Sequence, residues 1–197
     1  MNDNSFDSEE YSFDSEVGKD TDSKSLKDEQ SIPNQELITA ISSTLETLLE
    51  KNKKSQNLKE TKQSKICFWS NSIPKISLYD YLIRIQTYSC LEKNTLILSL
   101  IYIDRLCKIG NLALNDYNVH RILFTAILMA IKFNEDNFYD NNYYAEIGGI
   151  KAHELKTMEY TFIKTLDFNM YVSDIIFDQY NNYLNYKDKE NKKLVNI

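Results

Sequence analysis

Helix and strand breakers are scarce in these 197 residues, with four glycines and two prolines. A β-rich fold spends both on its turns, so this scarcity argues for helices joined by short connections. Positive charge is also short. The formal net charge is −6, and phosphate contacts need a clustered basic face, so nucleic acid is not an expected partner. Cysteine is limited to Cys67, Cys90 and Cys107, an odd number without CxxC spacing. That excludes a regular disulfide framework and fits a reducing intracellular compartment, nucleus or cytoplasm. With His120 and His153 as the only histidines, no zinc pattern emerges. The most apolar stretch, residues 96–106, is interrupted by Ser99, Asp104 and Arg105, so no membrane span is expected. The acidic start has no apolar run of the secretory kind. Missing too are GxGxxG, GxxxxGK[ST], HExxH and GxSxG, so neither catalysis nor a cofactor, metal or small-molecule ligand is expected.

What is present falls into three parts. Residues 1–30 carry ten acidic residues against three lysines, many serines and almost no aliphatics. The string Ser5-Phe6-Asp7-Ser8-Glu9 returns as Ser12-Phe13-Asp14-Ser15-Glu16. Such a segment cannot bury enough apolar area to offset an ordering cost of roughly 1–2 kcal/mol per residue, which predicts a disordered acidic tail over 1–32. From 33 to 186 the pattern is that of one helical domain. Leu37, Ile38, Ile41, Leu45, Leu48 and Leu49 recur at spacings of three and four, with Asn34 placed as an N-cap. Residues 51–65 form a polar, lysine-rich connection. Ser77 and Asp80 make a capping-box-like start for a helix with Leu78, Tyr81, Leu82, Ile85 and Tyr88 inward.

A second helix over 92–108 is apolar nearly all round, which predicts helical neighbours on every side. A third spans 116–133, with Ala126 and Ala130 one turn apart for close approach. A short helix over 142–147 stops at Gly148-Gly149, a glycine cap. A fifth over 152–166 carries Leu155, Met158, Phe162 and Leu166 on one stripe. A last helix covers 172–186, and residues 187–197 are expected to fray. The fold class is all-α.

Charge within apolar helices needs a partner. Asp104 and Arg105 are read as a structural ion pair, an adjacent-helix salt bridge holding the fold. Lys132, taken alone, is a favourable cation near a helix C-terminus, and Glu159, taken alone, is a solvated mid-helix carboxylate. His120 and His153 read as surface or structurally satisfied histidines. The tyrosines, fourteen in all, read as core and rim packing.

Taken together and in order, these segments resemble the cyclin box of the P/U-type cyclins, the group related to yeast phosphate-signalling cyclins. The residues that carry the likeness are Glu36-Leu37-Ile38 through Leu49-Glu50-Lys51-Asn52, Pro74-Lys75-Ile76-Ser77 with Tyr81-Leu82-Ile83-Arg84-Ile85, and Tyr102-Ile103-Asp104-Arg105. They continue with Asn118-Val119-His120-Arg121-Ile122-Leu123, Ala130-Ile131-Lys132-Phe133, Asn142-Tyr143-Tyr144-Ala145-Glu146-Ile147-Gly148-Gly149-Ile150, and Glu154-Leu155 to Glu159.

The resemblance implies a five-helix cyclin box preceded by an N-terminal helix. It also implies a noncatalytic subunit that binds and activates a cyclin-dependent protein serine/threonine kinase. The family's kinase-contacting lysine falls on Lys132 and its glutamate on Glu159, gripping backbone around the kinase's mobile regulatory helix, with Phe133 and Phe162 as apolar neighbours. The chain departs from mitotic cyclins where Pro74-Lys75-Ile76-Ser77-Leu78 replaces their Met-Arg-Ala-Ile-Leu docking string. No second cyclin fold follows residue 186, and no destruction box is evident. The competing reading is a cyclin-fold transcription-associated factor contacting DNA or basal transcription proteins, which would require a basic face.

Overall fold

The computed structural model describes residues 33–54 and 67–195, with side chains up to residue 189. The expected acidic tail and most of the lysine-rich connection lie outside the described residues. Those described form seven α-helices and no strand: α1 (Gln35–Lys54), α2 (Leu78–Ser89), α3 (Lys93–Gly110), α4 (Val119–Asn134), α5 (Asn141–Gly148), α6 (Ala152–Thr165) and α7 (Asp174–Val195). None is long and apolar enough to cross a membrane.

At the centre lie α3 and α4, the most extensively packed pair. Every residue from Thr95 to Ile103 on α3 is buried, as is every residue from Ile122 to Ile131 on α4. Burial that continuous is possible only with neighbours all round, as predicted for α3. Here α7 and α1 cover α3, while α6 and α5 cover α4. Ala126 and Ala130 are fully buried, small enough to let backbones close up. Buried hydroxyls on these helices bond to their own backbone, Ser99 Oγ to the Leu96 carbonyl at 2.7 Å and Thr125 Oγ1 to the Arg121 carbonyl at 2.7 Å. Neither therefore leaves a polar group stranded in the core.

Local chemistry sets the ends. The Ser77 hydroxyl accepts from the Asp80 amide at 3.0 Å, starting α2 as its sequence suggests. Asp140 caps α5 by accepting from the amides of Asn142 and Tyr143, both at 2.9 Å. The two glycines that stop α5 have different reasons. Gly149 takes the left-handed conformation, φ +64°, that a helix C-terminus favours. Gly148 permits close approach, since a Cβ there would sit 2.6 Å from the Phe124 ring on α4.

Tyr88, expected inward, is exposed, and expectations about three helix ends differ. Asn34 does precede α1, its carbonyl taking the Ile38 amide at 2.9 Å, but its side chain does not cap the helix. Its backbone is left-handed, φ 61°, and the amide instead donates to the Leu91 carbonyl at 3.0 Å, tying α1 to the α2–α3 connection. The helix expected from 116 begins at 119, because Asp116 and Tyr117 belong to a turn closed by Asn118 and Asn115. Helix α7 spans Asp174–Val195, beyond the expected helix end at 186.

Candidate functional site

On α6, the stripe Leu155, Met158 and Phe162 faces the core, and Glu159 stands at its edge. Across from it, Lys132 occupies the last turn of α4, where a cation is favoured. The two side chains form an ion pair, 23% and 13% exposed respectively. Glu159 is thus not the solvated mid-helix carboxylate that its sequence position suggests when read alone.

A third residue completes the arrangement. Asn141, the first residue of α5, accepts from Lys132 Nζ through Oδ1 and donates through Nδ2 to Glu159 Oε2. An ammonium only donates and a carboxylate only accepts, so these neighbours dictate which way the amide faces. The sequence reading did not single out Asn141. Its signal was available: Asp140 is a helix-start residue, which places the next residue at the head of α5.

Exposed apolar and aromatic residues neighbour this polar ring along the chain. Phe133 follows Lys132 in sequence and is 50% exposed. Tyr160 follows Glu159 and is exposed, Ile163 lies one turn beyond Glu159 and is half-buried, and Phe168, just past α6, is 64% exposed. On the approach to α5, Tyr139 stacks against Tyr143 at 4.3 Å between centroids, and the Tyr143 hydroxyl donates to the Tyr88 carbonyl at 2.8 Å. These tyrosines pack at the rim, as their sequence setting suggested.

Phe162 does not join that surface. It is fully buried, with its ring edge-on to Phe68 at 6.4 Å, and so cannot reach a docking partner. Its place on the apolar stripe of α6, three and four residues from Glu159 and Met158, turns it inward.

Asp104 and Arg105 are not an ion pair with each other. Adjacent helical residues diverge by about 100° and do not face one another. Asp104 pairs with Lys108 at 2.7 Å and accepts from the Tyr180 hydroxyl of α7 at 2.7 Å. Burial first, and that hydrogen bond second, push the Tyr180 phenol's pKa well above its ordinary value. Arg105 donates to the carbonyls of Tyr171 at 2.8 Å and Asn169 at 3.3 Å. One row inward, Tyr102 donates to the buried Met170 carbonyl at 2.8 Å. These residues fasten α7 and its approach to α3, a structural role with different partners from those expected.

His120 is structural too. Its Nε2 donates to the Ile76 carbonyl at 3.0 Å, its ring lies edge-on to Tyr81, and its buried Nδ1 has no partner. Burial lowers its pKa from the ordinary 6.5. His153 is exposed on α6.

The site is a partly buried ion pair held by an amide side chain where three helices of an α-helical domain meet. The chain belongs to the cyclin family: a model of that family, described as "Cyclin", matches residues 32–170. Relatives include Cyclin-U4-1 of Arabidopsis thaliana, 34% identical over 149 residues, covering 75% of this chain and 74% of the relative. PHO85 cyclin-7 of Saccharomyces cerevisiae is 32% identical over 196 residues, covering 88% and 68%. PHO85 cyclin PHO80 of the same yeast is 35% identical over 141 residues, covering 71% and 48%. With such relatives the chain stands among the P/U-type cyclins, and it spans between about half and three quarters of their length.

Proposed function

We propose that this cyclin is the noncatalytic regulatory subunit of a cyclin-dependent protein serine/threonine kinase, binding it through the face built on Lys132 and Glu159. The observation that carries this reading is the state of the pair. Two of the three ammonium hydrogens of Lys132 are directed to Asn141 and Glu159, and each carboxylate oxygen of Glu159 accepts one bond. The remaining hydrogen and lone pairs suit a backbone carbonyl and a backbone amide of a partner. Exposed Phe133 and Phe168, with half-buried Ile163, supply apolar area, and the polar pair supplies orientation.

A partner helix held this way would be locked in position. In protein kinases the regulatory helix carries the glutamate that pairs with the ATP-binding lysine, so locking it completes the phosphoryl-transfer site. The cyclin itself contributes no group to the reaction.

The test is co-expression with PHO85, the partner carried in the names of the yeast relatives, and with the cyclin-dependent kinases of the chain's own source. Each complex is captured and assayed for phosphorylation of a generic peptide. Stable capture with stimulated activity, both lost in the Lys132→Ala/Glu159→Ala double variant while its helicity and melting stay close to wild type, supports the reading. A folded cyclin that captures none of the kinases refutes it. Retarded migration of duplex DNA at low salt would then favour the transcription-associated alternative.

A further inference from the structure

We infer that Asn141 is the positioning residue of this interface, a role that rests on the kinase-docking reading of Lys132 and Glu159. Long side chains such as Lys and Glu lose considerable rotamer freedom when fixed. Here each is held at two points. Lys132 Nζ is bound by Asn141 and by Glu159, and Glu159 is bound through one oxygen by Lys132 and through the other by Asn141. The three contacts close a ring across α4, α5 and α6. The cost of ordering both side chains is therefore met before any partner arrives, and pre-ordered groups bind more tightly than mobile ones.

A primary amide suits this task at the position. It offers a donor to the carboxylate and an acceptor to the ammonium in one plane. A carboxylate would keep the bond to Lys132 but place a second negative charge against Glu159. An alanine would leave both side chains held at one point only.

The backbone that delivers Asn141 is itself tied down at both ends. Asp140 caps the first turn of α5, Gly148 seats the far end on Phe124 of α4, and the Gly148 carbonyl takes the Tyr81 hydroxyl of α2 at 3.0 Å. Arg84 of α2 adds a bond to the Glu146 carbonyl at 3.0 Å. Helix α5 is thus a strut between α2 and the docking face, and its first side chain is the part that acts on the pair. The charged groups that face Asn141 are Lys132 from α4 and Glu159 from α6, while neighbouring Asp140 is turned onto backbone amides.

The experiment measures the affinity of full-length Asn141→Ala and Asn141→Asp for the kinase captured above, beside wild type and the Lys132→Ala/Glu159→Ala double variant. Loss of a hydrogen bond to each of two charged groups predicts about tenfold weaker binding by N141A with near-wild-type melting. N141D should bind more weakly than N141A at pH 8. Relative to wild type, it should regain affinity toward pH 5.5, where the two carboxylates share a proton. Should N141A fail to fold, the pH profile of N141D decides alone, and a profile parallel to wild type overturns the assignment. N141A binding within twofold of wild type, while the double variant does not bind, overturns it and leaves the interface intact. A double variant that binds like wild type removes the interface and this inference together.

Discussion

Near the C-terminal end of α3, Asp104 and Arg105 reach a tyrosine hydroxyl and two backbone carbonyls on the segment leading into α7. At the corresponding end of α4, Lys132 reaches two side chains, one on α5 and one on α6. Both clusters place charge where an apolar helix emerges from the core, and in the sequence they look alike. They differ in what they bind. Arg105 is committed to carbonyls whose positions are set by the chain, and it fastens one element to another. Lys132 and Glu159 bind each other and a third side chain, Asn141, and Lys132 is followed by exposed Phe133. The first cluster ties a helix to backbone, whereas the second ties side chains of three helices to one another.

That comparison is sharpened first by two phenylalanines. Phe162→Ala, which empties a fully buried site, is expected to cost about 3–5 kcal/mol in chemical denaturation. Phe133→Ala, half exposed, should change stability by less than about 0.5 kcal/mol while weakening kinase capture. A stable Phe162→Ala protein would break the division between core and face. Next comes the ion pair. The Lys132→Ala/Glu159→Ala variant should lose about 100-fold or more in kinase affinity, read by titration calorimetry.

A smaller and opposite effect is expected from Arg105→Ala. Loss of its two carbonyl contacts, on a partly exposed group, should lower the unfolding free energy by about 1 kcal/mol and leave kinase affinity unchanged. Weakened binding without loss of stability would mean that α3 also faces the kinase.

The smallest effect concerns pH. Burial depresses the pKa of folded His120, so the unfolded chain takes up the proton first as pH falls through about 6.5. The unfolded state then binds more protons, and stability drops on acidification. Above the unfolded-state pKa the contribution is fully present. His120→Gln should therefore show a shallower decline between pH 7.5 and 5.5 than wild type in denaturant midpoint. Parallel declines would show that His120 ionises as freely in the folded protein as in the unfolded one.

Much of this was legible in the chain. The apolar periods of Leu37 to Leu49 and of Leu155 to Leu166 located α1 and α6, because a helix buries one stripe and the stripe repeats every three to four residues. Ser77 and Gly149 marked ends because capping is local chemistry. Continuous burial of α3 followed from its having no polar face. The pairing of Lys132 with Glu159 was suggested only through resemblance to a family. Taken singly, Lys132 reads as a dipole partner and Glu159 as a surface charge, and neither signals the other across 27 residues.

Composition, spacing and capping residues thus determined that the described residues are helical, the start of α2 and the stop of α5, and the inward stripes of α1 and α6. These follow from interactions within a few residues of one another. Tertiary structure alone decided that Asp104 meets Tyr180, that Arg105 meets the carbonyls of Asn169 and Tyr171, and that Asn141 joins Lys132 to Glu159. Each of those outcomes depends on where two distant helices meet. A side chain's choice of partner is set by distance and direction in space, and nothing local to the residue records it.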